Sequence, residues 1–144
     1  KFSNFNNLKL FIIGKGENEE FLKKLVMKNK LNCKIFFLGF QNNPYIFLKK
    51  SDLIIVPSLW EGFGNIIVEA MYFRKNIISS DCDYGPREIL NYGKLGYLYK
   101  NNSLNNFLMS YRKSEYINKS KLNISYLKKF KIENIVSQYY NYLN

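Results

Sequence analysis

The sequence predicts an α/β fold: a Rossmann-like parallel sheet flanked by helices, with further helices at its C-terminal end. Short continuous apolar runs recur along the first hundred residues, among them "LKLFIIG", "CKIFFLG" and "DLIIVPS". Segments of helical periodicity separate them, and after Lys100 that periodicity stands alone. Strand and helix in alternation imply right-handed crossovers, hence parallel strands with helices over both faces.

Each element has its own reason. "LKLFIIG" is a buried strand, and Asn18 can cap a helix with Glu19 and Glu20 in its first turn and Phe21, Leu22, Leu25 and Val26 on one face. "CKIFFLG" is the next strand. Asn43 as N-cap and Pro44 at the first helical position open a short helix through Leu48, followed by "DLIIVPS". "EGFGN" is a loop and "IIVEAMYFR" a helix; "KNIISSD" makes a strand, "GPREIL" a helical turn and "GYLYK" a last short strand. Asn102 or Ser103 can cap a helix over 104–111. "SKLNISYLKKFKIENIVSQYYNYLN" gives two more amphipathic stretches, the last with Ile132, Ile135, Val136, Tyr139, Tyr140 and Leu143 on a stripe expected to face a core.

The chain of 144 residues has the size of one domain, able to bury about 68% of the surface its unfolded form exposes. Residues 1–144 therefore read as one domain with a single core, about 1–100 forming the α/β part and 101–144 the C-terminal helices. The apolar runs are too short for a membrane span of about 20 residues. The sequence begins "KFSNFNN", without the basic, apolar and small-residue order of a signal peptide, and reads as the middle of something longer.

A formal charge of +11 arises from 22 Lys and Arg against 11 Asp and Glu. The lysines are scattered among asparagines instead of clustered, which argues against a nucleic-acid partner, whereas an anionic membrane surface or a phosphate-bearing ligand is compatible. No His is present, and Cys33 and Cys82 lack partners at metal spacing. A structural zinc site and a His-based triad are excluded, and reduced thiols fit a cytoplasmic chain.

In an open parallel sheet, ligands collect beyond the carboxyl ends of the strands. The loops expected there are 14–19, 39–43, 58–65 and 81–86. The third is the most informative. Gly62 and Gly64 permit close backbone approach, and the helix starting near Asn65 turns its free N–H groups and positive dipole end toward the loop, making an anion site suited to a diphosphate. Glu69, about one turn in, can point back toward that site and accept two hydroxyls, as a ribose offers. Glu61 would stand on the other side, beside a sugar. The alternative from spacing alone is that both are solvated surface acids.

Other motifs carry less. "GKGENE" has Glu19 where a dinucleotide fingerprint has its third glycine, and reads as a strand-to-helix turn at the edge of a ligand site. Asp81 and Asp83 in "DCD" have no third ligand nearby and read as solvated loop acids. No Gly-Lys-Ser/Thr phosphate loop is present.

Taken together, "NPY", "SDLIIVPS", the Glu61-x7-Glu69 spacing and "GPREIL", in this order, resemble the C-terminal, donor-binding domain of retaining glycosyltransferases of family four, two-domain enzymes of the GT-B fold. The similarity runs from about Leu8 to the end and is greatest to bacterial enzymes that build surface polysaccharides or lipid-linked glycans. It implies transfer of a hexose or N-acetylhexosamine from a nucleotide-sugar, UDP-linked, with no cofactor and no metal. It implies that Glu69 binds the ribose, and that Glu61, the catalytic candidate, holds donor sugar and diphosphate with Gly62, Phe63, Gly64 and Asn65. The loops at Gly14 and Phe40 border the site, Phe40 beside the base. The route implied is a front-face, ion-pair-like one without a protein nucleophile, in which stabilisation of the leaving diphosphate is the main term.

This chain departs from the pattern in having Phe63-Gly64 where relatives often have Leu-Pro, and Tyr84 where they have Ser, both of which bear on the donor. The resemblance also places the family's diphosphate-neutralising Arg and Lys, and the acceptor-binding N-terminal domain, before residue 1. The expected partners are a nucleotide-sugar, that N-terminal domain and, peripherally, the inner membrane. The alternative is a truncated or split-gene module that is inactive without a separate N-terminal partner.

Overall fold

The computed structural model describes residues 8–114 and 124–143. Among the described residues there are five strands: β1 (Leu10–Ile13), β2 (Ile35–Gly39), β3 (Leu53–Val56), β4 (Asn76–Ser80) and β5 (Tyr97–Tyr99). Each falls within an apolar run expected to be a strand. The helices are α1 (Glu19–Lys28), α2 (Tyr45–Lys50), α3 (Asn65–Tyr72), α4 (Pro86–Ile89), α5 (Leu104–Ser114), α6 (Ile124–Leu127) and α7 (Ile132–Leu143), with a 3-10 turn over Lys128–Phe130.

Packing divides the chain into two compact units, 1–46 and 47–144. In the first, β1 and β2 pair in parallel, Leu10 opposite Ile35, and the Phe11 and Phe36 rings stack with centroids 5.2 Å apart. Its helix α1 buries no residue fully. Among the described residues the buried apolar cluster belongs to the second unit.

In that unit the order is β3-β4-β5, all parallel, with Ile54 opposite Ile77 and Ile78 opposite Tyr97. Strand β4 has a neighbour on each edge, and four of its five residues are buried, including Ser79 and Ser80. A buried hydroxyl without a partner costs roughly 1–3 kcal/mol, and both find carbonyls: Ser79 Oγ donates to the Ser80 carbonyl at 3.1 Å, with the Val56 carbonyl as the alternative acceptor at 3.4 Å, and Ser80 Oγ donates to the Ser58 carbonyl. Helix α5 packs on β4 and β5, while α3 packs on β3, β4, α4 and α6. Ile67, Ala70, Met71, Ile77, Ile89 and Leu90 form the centre of this core. Each large aliphatic side chain buried there contributes about 1.5–3 kcal/mol relative to exposure.

Helix starts differ from expectation in instructive ways. Asn18 precedes α1 but makes no side-chain cap, and α2 begins at Tyr45, one residue after Pro44. Ser103 does cap α5, its Oγ accepting from the Asn106 amide at 3.3 Å. The stripe on α7 is not core: Ile132, Val136 and Tyr140 are exposed, Ile132 by 78%. A strong amphipathic period shows that a face differs from its opposite, not that anything covers it. The side chains of Tyr139 and Leu143 lie outside the described residues.

Candidate functional site

In the second unit the loops after β3, β4 and β5 meet at the carboxyl end of the sheet. The β3 loop is held by side chains from both of the others. Ser80, the last residue of β4, donates to the Ser58 carbonyl, and Asn101, just past β5, donates to the Leu59 carbonyl at 3.1 Å. The Asp81 amide is tied to the Tyr99 carbonyl at 2.8 Å. Within the loop, Ser58 Oγ donates to Glu61 Oε1 at 2.6 Å, which fixes the orientation of this half-buried carboxylate.

Gly64 then turns the chain into α3. Its φ of +90° lies in the left-handed region, which favours glycine, and a Cβ there would also stand tightly against Ile67 Cδ1, at 3.3 Å. Gly62 is different, with open space where a Cβ would stand. The first turn of α3 has no side-chain cap; the Ile67 amide bonds back to the Gly64 carbonyl, the first bond of the helix. The amides before it have no intrahelical acceptor and sit at the positive end of the helix. Glu69 is half-buried on the same helix, just over one turn beyond Asn65.

The "DYGP" turn packs against this loop. Gly85, with φ +84°, brings its Cα so close that a Cβ would lie 2.2 Å from the Phe63 carbonyl oxygen. Pro86 follows as the first residue of α4 and is buried. Asp81 is not the free solvated acid expected: Arg87 grips it with Nε at 2.9 Å and Nη2 at 2.5 Å. Those hydrogen bonds, with the attraction of the Asp81 charge, raise the Arg87 pKa above its ordinary value. Among the described residues no cluster of three His, Cys, Asp or Glu could hold a metal ion, and no helix is long and apolar enough to cross a membrane.

Glu61, Gly62, Phe63, Gly64, Asn65 and Glu69 thus lie together on one loop and helix start. Gly14 and Phe40 belong to the first unit, at the ends of β1 and β2. There the Gly14 amide donates to the Gly39 carbonyl at 2.8 Å, and Phe40 is 70% exposed. Sequence reasoning missed Ser58, Ser80, Asn101 and Gly85. Ser58 stands three residues before Glu61, a spacing at which a hydroxyl commonly bonds locally, and this signal could have found it. Nothing local marks Asn101.

Comparison with solved structures places this architecture among the GT-B glycosyltransferases. Staphylococcus aureus TarM superimposes with a TM-score of 0.81 at 26% identity over 97% of this chain and 29% of its own. Anabaena HepE in complex with UDP gives 0.77 at 22% identity, over 94% of this chain and 40% of its own. The family model "Glycosyl transferases group 1" matches residues 1–124, and the chain belongs to that family. A glycosyltransferase of Methanocaldococcus jannaschii is 44% identical over 86 residues, 60% of this chain and 21% of the relative. The poly(ribitol-phosphate) alpha-N-acetylglucosaminyltransferase of S. aureus is 26% identical over 147 aligned residues, 96% of this chain and 29% of the relative. The chain therefore spans less than a third of the length of these two curated relatives.

Proposed function

We propose that this chain is the donor-binding part of a retaining glycosyltransferase, and that it holds a nucleotide-sugar, UDP-linked, for transfer of a hexose or N-acetylhexosamine to a glycan or lipid-linked acceptor. The observation that carries the reading is the uncapped start of α3 behind a left-handed Gly64, flanked by Glu61 on one side and Glu69 about one turn along the other. Amides without an intrahelical acceptor at a positive helix end favour a diphosphate. In this reading, Glu69 accepts the ribose hydroxyls, and Glu61, oriented by Ser58, accepts from the donor sugar. Gly62, Phe63, Gly64 and Asn65 supply backbone to the phosphates.

Chemically, the loop's contribution is electrostatic. Charge accumulates on the leaving diphosphate as the glycosidic bond breaks, and fixed amide dipoles stabilise that charge without reorganising. No protein nucleophile and no metal enter the reading. UDP in the HepE structure supports the choice of base. The acceptor side falls to an N-terminal domain, and the place of work is the cytoplasm, with the inner membrane as a peripheral contact.

The test is ligand-detected NMR of the chain against UDP, GDP, ADP and their sugars, repeated with Glu69→Gln. Saturation transfer to ribose and sugar of one nucleotide, lost in the variant, is the expected result. Transfer that persists unchanged in Glu69→Gln overturns the assignment of the ribose site.

A further inference from the structure

The aromatic groups of α6 and the 3-10 turn close on the glycine-rich loop from the far end of the chain. The Phe130 ring meets Phe63 edge-on, with centroids 5.6 Å apart and planes at 70°. Tyr126 meets Phe130 in the same way at 5.8 Å and 76°. The Tyr126 hydroxyl donates to the Glu88 carbonyl in α4 at 2.9 Å, and Lys129 Nζ lies 3.8 Å from the Tyr126 centroid and 4.7 Å from that of Phe130. A continuous run of contacts thus leads from α4 through Tyr126 and Phe130 to Phe63. On its backbone side Phe63 abuts Gly85, the residue before α4. Phe63 itself is 41% exposed, so its ring is not held by the core alone.

We propose that Phe130 is a positioning residue for the donor loop: with Tyr126 and Lys129 it clamps the Phe63 ring, and through Phe63 it fixes the amides that start α3. A loop with glycines on both sides of Phe63 has conformational freedom that must be lost when a ligand binds. A clamp that removes the freedom beforehand strengthens binding without touching the ligand. The proposal rests on reading the loop as a diphosphate cradle.

Trp60 gives a direct reporter, because it is the chain's only tryptophan, lies three residues before Phe63 and is 83% exposed. Trp60 fluorescence anisotropy and calorimetric UDP affinity are to be measured for the full chain, Phe130→Ala, Phe130→Tyr and Phe107→Leu. The last is a control that disrupts a comparable edge-on pair, Tyr99 with Phe107 at 5.4 Å. Phe130→Ala should lower the anisotropy and weaken UDP about tenfold, Phe130→Tyr should restore both, and Phe107→Leu should change neither. A folded Phe130→Ala with wild-type anisotropy and affinity overturns the clamp, as does an equal effect of Phe107→Leu. If Phe130→Ala does not fold, Tyr126→Phe, lacking only the hydroxyl, should move both readouts in the same direction, and no movement overturns the proposal. Failure of the wild-type chain to bind UDP counts against the donor-site reading, while the anisotropy still decides the clamp.

Discussion

Gly85 lies against the Phe63 carbonyl so closely that a Cβ on residue 85 would stand 2.2 Å from that oxygen. The obstacle is backbone, not the tip of a flexible side chain, and the φ of +84° adds strain for any L residue. Gly85→Ala should therefore push the two loops apart, cost about 2 kcal/mol or more, and weaken nucleotide binding in the same variant. Urea unfolding beside UDP titration measures both. Retention of wild-type stability would mean that the loops do not pack as described.

Ser58→Ala separates orientation from stability. Loss of the Ser58 hydroxyl leaves Glu61 in place without its 2.6 Å donor, so the fold should lose only about 0.5–1.5 kcal/mol while donor-sugar affinity falls severalfold. UDP affinity should fall less than UDP-sugar affinity, since Glu61 is assigned to the sugar. Equal losses for both ligands would argue against that assignment.

Ser80→Ala acts on the same loop from below. The Ser80 hydroxyl is buried and donates to the part-buried Ser58 carbonyl, so its removal leaves that acceptor without its partner, at a cost of about 1–3 kcal/mol. Thermal unfolding of Ser80→Ala should show a loss larger than that of Ser58→Ala. A smaller loss would mean that water replaces the hydroxyl.

Particular residues show how far the sequence could be read. The five strands were legible because short apolar runs, Leu10–Ile13, Ile35–Leu38, Leu53–Val56, Ile77–Ile78 and Tyr97–Tyr99, alternate with helical patterns, and the start of α3 followed from Gly64 and Asn65. The loop carrying Glu61, and the helix start that leads to Glu69, were legible for the same local reason. Asn101 and Phe130 were not, because their partners Leu59 and Phe63 lie far away in sequence and only the fold makes the pairs. The α7 stripe misled for the opposite reason: periodicity is local, but burial depends on what the rest of the molecule brings to that face.

Alkaline stability should depend on Tyr97 and Tyr99. Burial raises both phenols above the ordinary value of about 10, Tyr99 with a smaller contribution from Cys82, because the charged phenolate is disfavoured in the folded chain. A raised pKa contributes stability that is complete below the unfolded value and is lost as pH rises through the folded one. The urea midpoint should thus fall above about pH 10, and Tyr99→Phe should flatten that fall. An unchanged slope in Tyr99→Phe would remove Tyr99 as a cause.

The contrast between Ile77 and Ile132 tests where the core ends. Ile77 is 1% exposed in β4 and packs within the apolar cluster, so Ile77→Ala removes buried surface and leaves a cavity, costing about 2–5 kcal/mol. Ile132 lies on an equally apolar pattern but is 78% exposed, and Ile132→Ser should change stability by no more than about 0.5 kcal/mol. Both are measured by urea unfolding at one protein concentration. A loss at Ile132 approaching that at Ile77 would mean that the α7 stripe is covered in solution, and the amphipathic pattern would then have been right about the core after all.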